Sequence, residues 1–233
     1  MFYGFDPTII ILLPAILFAV YAQSKVSKAY NVYSKVKNRR GITGAQAAKM
    51  ILDRNGVSGV SIEMTKGRLS DHYDPRKKKL CLSPEVYGNA SIASVSIAAH
   101  EAGHAMQHAV RYKPLTLRNA IVPIVNIGSM LSWPLLLIGI LIISAGYYFE
   151  GNLVFNLGII FFTGVLVFHT VTLPVEFNAS SRAIKQLVEF GIIYDEEDKG
   201  AKKVLSAAAM TYVAALAVSV ANLVRILLIR GQR

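Results

Sequence analysis

Four apolar runs decide what this chain can fold into: residues 8–22, 121–148, 153–173 and 204–229. A helix needs about 20 apolar residues to cross a hydrocarbon core about 30 Å thick. Inside that core each segment must satisfy its own backbone polar groups, so such runs are expected to be helical. The first run contains Pro14 and is short for a span, but it extends back through Phe2 to Phe5. The second is long enough to cross, with Pro123 and Pro134 as kink points. With 53% hydrophobic residues and a formal charge of +11, the chain reads as a mainly α integral membrane protein with about four transmembrane helices. The lipid bilayer is its expected partner. A basic chain can also bind nucleic acid, but no nucleic-acid motif is present and the Lys and Arg residues cluster beside the apolar runs.

Those basic residues orient the chain. Lys25, Lys28, Lys35, Lys37, Arg39 and Arg40 follow the first run, and only Asp6 precedes it. This is the reverse of a secretory signal, and by the positive-inside rule it leaves the N-terminus outside and the following segment in the cytoplasm. Arg111, Lys113 and Arg118 mark another cytoplasmic flank, whereas the turn at 147–152 has no Lys or Arg and carries Tyr147, Tyr148 and Phe149. Residues 121–173 are therefore expected to form a transmembrane hairpin with both feet in the cytoplasm. A fourth crossing would leave Arg225, Arg230 and Arg233 outside, against the charge rule. Long arginine side chains can reach the interface, and the crossing is the favoured expectation. The chain then divides into an anchor (1–24), a cytoplasmic-side catalytic part (25–120), the hairpin (121–173), a connecting helix (174–203) and a C-terminal membrane helix (204–233).

Within 25–120, Val26, Ala29, Tyr30, Tyr33 and Val36 recur at helical spacing among lysines, as in an amphipathic helix on a membrane surface. Gly41 ends it, Thr43 caps the next helix, and Gly56 closes that one. Short extended pieces at 60–64, 71–75 and 79–83 predict a small antiparallel sheet. Residues 78–82 are the candidate free edge for an extended substrate. The lone Cys81 excludes an internal disulfide.

The chemistry lies in His100-Glu101-Ala102-Gly103-His104, an H-E-x-x-H motif. At about 3.6 residues per turn, His100 and His104 share a helix face and can reach one tetrahedral Zn2+. Glu101 then flanks a zinc-activated water as general base, and the reaction is peptide hydrolysis. The helical context is present: Asn89 or Ser91 as cap, apolar and small residues from Ile92 to Val110, and Pro114 beyond the end. A catalytic zinc needs a third protein ligand. His108 lies about 12 Å along the axis from His100, too far for all three histidines to bind one ion. His169 falls in the last turns of a span, lining the site from above or merely interfacial. Glu176 is the best candidate, in the first turn of a helix opened by Pro174 and ended by Gly191. His72, in a polar turn, is either a transition-state donor or simply solvated.

The motif, together with Asp71-His72-Tyr73-Asp74-Pro75 and Leu173-Pro174-Val175-Glu176-Phe177, resembles the YugP-like bacterial neutral zinc metallopeptidases over nearly the whole chain. More distantly it is similar to the gluzincin membrane proteases of the heat-shock and CAAX prenyl protease type. The resemblance implies a zincin-like catalytic domain with one catalytic Zn2+ held by His100, His104 and Glu176, and with Glu101 as general base. It also implies a bacterial inner membrane setting. The distant relatives carry an aspartate four residues after the ligand glutamate; here that position is Ser180, and Asn178 or Arg182 is expected to orient a ligand instead. The leading expectation is a multi-pass, gluzincin-type zinc metalloendopeptidase acting on protein or peptide substrates at the cytoplasmic membrane face. The competing readings are an intramembrane-cleaving zinc protease and a non-hydrolytic zinc-binding membrane scaffold.

Overall fold

A computed structural model describes residues 7–231. The expected extension through Phe2 to Phe5, together with Asp6 and Arg233, lies outside the described residues. A 3-10 turn (Pro7–Ile11) leads into helix α1 (Leu12–Tyr33), followed by α2 (Gly44–Arg54), strands β1 (Ser61–Met64), β2 (His72–Asp74) and β3 (Lys79–Leu82), and a short α3 (Pro84–Gly88). Then come α4 (Ile92–Ala109), α5 (Lys113–Ser144), α6 (Tyr148–Glu189) and α7 (Asp195–Gly231). Four of these helical stretches are long and apolar enough to cross a membrane: Thr8–Tyr33, Lys113–Ser144, Tyr148–Glu189 and Asp195–Gly231.

The chain forms two compact units. One gathers the segment up to Tyr21, Leu117–Leu173 and the segment from Tyr212 onward. In it, α5 and α6 pack closely because glycines remove the side chains that would part them. A Cβ at Gly139 would stand 2.7 Å from the Phe155 backbone nitrogen, and one at Gly151 the same distance from that of Ile143. Small residues play this part between membrane helices, where no hydrophobic drive pushes helices together. Leu136, Phe155, Phe162 and Ile226 form the buried cluster of this unit. Arg225 donates from Nε to the Thr8 hydroxyl at 3.2 Å, which gives its charged head a polar neighbour late in α7.

The other unit is Ala22–Thr116 with Pro174–Thr211. Its core takes Ile51 and Leu52 from α2, Leu80 and Leu82 from β3, Val95, Ala98 and Ala102 from α4, and Ala183 and Leu187 from α6. Local signals act here as the sequence predicts. Thr43 and Gln46 form a reciprocal capping box at the start of α2, and Gly56 takes a φ of 66° just past its end. Ser91 caps α4 by accepting from the Ser94 backbone N–H.

Three expectations change. The sheet has the order β1-β3-β2, with β2 antiparallel but β1 parallel to β3, so it is mixed. Residues 78–82 are therefore not a free edge. β3 carries the fully buried Leu80 and Leu82, and the strand with most to bury takes the centre. Pro174 does not open a helix but lies inside α6. The lost N–H leaves one helical carbonyl without its usual donor. Buried Thr172 and Val175 on either side keep the helix packed, so it continues.

Candidate metal centre

α4 and the later part of α6 build the site, and a glycine lets them approach. Gly103, inside the motif, faces α6 so closely that a Cβ there would stand 2.7 Å from the Ala179 carbonyl oxygen. This approach brings Glu176 against the histidine face of α4. His100 Nε2 lies 3.2 Å from Glu176 Oε2, and His104 Nε2 lies 3.5 Å from the same oxygen. The three side chains have ligand atoms within 4.8 Å of one another, and Glu176 is 3% exposed.

These distances fit a metal. Donors about 2.0–2.2 Å from a tetrahedral ion are about 3.3–3.6 Å apart; of the two Nε2-to-oxygen separations, 3.5 Å falls inside that range and 3.2 Å just below it. Two imidazole nitrogens and one carboxylate oxygen are also a donor set suited to catalytic zinc. The far side of each ring is occupied. His100 Nδ1 lies 3.1 Å from Ser180 Oγ, and His104 Nδ1 lies 3.0 Å from Gln107 Oε1. Both Nε2 atoms are thus turned toward Glu176.

Glu101 is buried, and it makes no hydrogen bond to another side chain among the described residues. Asp71, before β2, is tied to the backbone N–H of Ser83 at 2.7 Å and to its hydroxyl. Burial pushes the Asp71 carboxyl up from its ordinary value against the pull of those bonds, and the charge of Glu101 adds to the push.

The other candidates are used elsewhere. His108 lies 2.9 Å through Nδ1 from the Tyr73 hydroxyl. His72 is exposed, with Nδ1 2.8 Å from the Ser70 carbonyl oxygen. His169 belongs to the other unit, edge-on to Phe168. Asn178 and Arg182 touch neither histidine among the contacts described: Arg182 donates from Nε to Asn178 Oδ1 at 2.8 Å, and Asn178 meets Gln107. The direct contacts to the histidines come from Ser180, which looked like a departure, and from Gln107, which drew no attention in the sequence. Gln107 is three residues after His104 on the same helix, and that spacing was its only signal.

Comparison with known proteins gives the chain a family and a relative. A family described as "Putative neutral zinc metallopeptidase" matches residues 8–231. A curated protein named "Putative membrane protease YugP", from Bacillus subtilis (strain 168), is 45% identical over 221 residues, which is 95% of each chain. No solved structure matches. Zinc is thus the ion that the family and the buried His-His-Glu group both indicate. With the match running from the 3-10 turn before α1 to the end of α7, the chain belongs to the neutral zinc metallopeptidase family.

Proposed function

We propose that the protein is a membrane-anchored zinc endopeptidase in which His100, His104 and Glu176 hold the ion and Glu101 is the general base. The observation that carries this reading is the convergence of both Nε2 atoms on one Glu176 oxygen at separations suited to a tetrahedral ion. Zinc held there would supply Lewis acidity, polarising the scissile carbonyl and making a water acidic enough to lose its proton near neutral pH.

The remaining work falls to the chain's own residues. Glu101 follows His100 directly on α4, and having no hydrogen-bonded side-chain partner it is free to take a proton from the attacking water. It can deliver that proton to the leaving amine, the paired duty of a carboxylate base in peptide hydrolysis. Ser180 and Gln107 hold the imidazoles by their far nitrogens. The edges of the sheet are β1 and β2, and an edge strand is where an extended peptide could pair by main-chain hydrogen bonds.

The site is proposed to face the cytoplasm at the bacterial inner membrane. From Tyr148 to Glu176 helix α6 rises about 42 Å, more than the roughly 30 Å hydrocarbon core. A span that starts at Tyr148 therefore ends before Glu176. The basic flank at Arg111, Lys113 and Arg118 lies just before α5 and in its first turns, against a basic-free turn at its far end.

The test is Glu101→Gln in a casein degradation assay with purified protein. The amide keeps shape and loses the base, so zinc should remain bound while proteolysis falls about a hundredfold to ten-thousandfold. Cleavage at the parent rate would overturn the assignment of Glu101.

A further inference from the structure

Gln107 is completely buried in the helix that carries both histidines, and it uses every hydrogen-bonding atom it has. Its Nε2 donates to the Val175 carbonyl oxygen at 2.8 Å and to Asn178 Oδ1 at 3.0 Å. Its Oε1 lies 3.0 Å from His104 Nδ1. The polarity of this chain of contacts is not arbitrary. A guanidinium can only donate, so the Asn178 atom facing Arg182 Nε must be the oxygen. A backbone carbonyl can only accept, so the Gln107 atom facing Val175 must be the nitrogen. Both constraints turn the Gln107 oxygen toward His104. An amide oxygen has no hydrogen to give, so the hydrogen between the two residues sits on His104 Nδ1. Nε2, on the opposite side of the ring and facing Glu176, is then left to offer its lone pair to a metal. Ser180 imposes no such direction on His100, because a hydroxyl both donates and accepts.

We propose that Gln107 is the positioning residue that fixes the metal-binding tautomer of His104, its own amide being held in orientation by Val175 and by the Arg182–Asn178 pair. The proposal rests on the zinc peptidase reading and adds a directional device to it. The partners that orient a metal-bound imidazole are typically worth about tenfold to a hundredfold in affinity.

Two variants of Gln107 separate positioning from plain packing. Gln107→Met fills similar space with no acceptor. Gln107→Glu keeps an oxygen for the His104 Nδ1 hydrogen, since both carboxylate oxygens accept, but loses both donors to Val175 and Asn178. Zinc affinity is measured on the purified full chain by competition with a chelator of known affinity, and stability on the metal-free protein by thermal melting. Both variants should melt lower than the parent. Gln107→Met should bind zinc about tenfold to a hundredfold more weakly, with Gln107→Glu staying within a few-fold of the parent. In zinc-loaded protein labelled with 15N at its five histidines, the protected His104 Nδ1–H signal should persist in the parent and in Gln107→Glu and be lost in Gln107→Met. Affinities that fall equally in the two variants, or in neither, overturn the proposal. If Gln107→Met does not fold, the glutamate variant alone decides: tenfold or greater loss there also overturns it. A parent protein that binds no zinc would instead bring down the peptidase reading on which the proposal rests, so the two failures are distinguishable.

Discussion

Ser180 stands four residues beyond Glu176, one helical turn along α6, with its hydroxyl 3.1 Å from His100 Nδ1. A neutral hydroxyl orients the imidazole without adding a second buried negative charge beside Glu176. Ser180→Ala is therefore expected to weaken zinc binding by about tenfold, at the lower end for such partners, while the fold stays intact. Chelator competition on the purified variant reads this, and unchanged affinity would show that His100 needs no partner at Nδ1. At this scale the histidines and Glu101 were legible because one helix fixes their geometry through spacing alone. Gln107 and Ser180 were not legible, because each is defined by what a different helix presents to it. Glu176 lay between the two cases: elimination reached it, but the expected setting in a helical first turn did not hold. It lies in the interior of α6 at 3% exposure, where a role as partner to a helix dipole has no basis.

Among the elements, the approach of α4 to α6 depends on the missing side chain at Gly103. Gly103→Ala would set a methyl group 2.7 Å from the Ala179 carbonyl oxygen, and backbone atoms can give way only by moving the helix. Such overpacking typically costs about 1–3 kcal/mol, and here the shift would carry Glu176 away from the histidines. We expect a lower melting temperature and poor zinc retention. Gly164→Ala is the control, because a Cβ at that position meets nothing within 4 Å. Equal zinc retention in both variants would show that the close approach is not what positions Glu176. Helix ends, caps and strand positions could be anticipated from local chemistry, as the box at Thr43 and the cap at Ser91 show. Strand order could not. The pairing of β1 with β3 is decided by the burial of Leu80 and Leu82, and the continuity of α6 through Pro174 by packing on both sides of the proline. Both are tertiary effects that override a local signal.

For the whole molecule, four membrane-length helices and a basic charge concentrated near their ends lead to a topology that reporters can check. A reporter fused after Arg40 should read cytoplasmic. One inserted at the turn containing Gly146, which has a φ of 93° and open space around it, should read external. The turn suits an insertion better than Gly151, which packs against Ile143 within the hairpin. A cytoplasmic signal at Gly146 would contradict the hairpin that returns the chain to the side of α4. The central claim, that Glu176 completes a catalytic zinc site with His100 and His104, is tested most directly by the zinc content of purified Glu176→Ala measured beside the parent. The account predicts stoichiometric zinc in the parent, with loss of both zinc and proteolysis in the variant. Stoichiometric zinc with full activity in Glu176→Ala would contradict it.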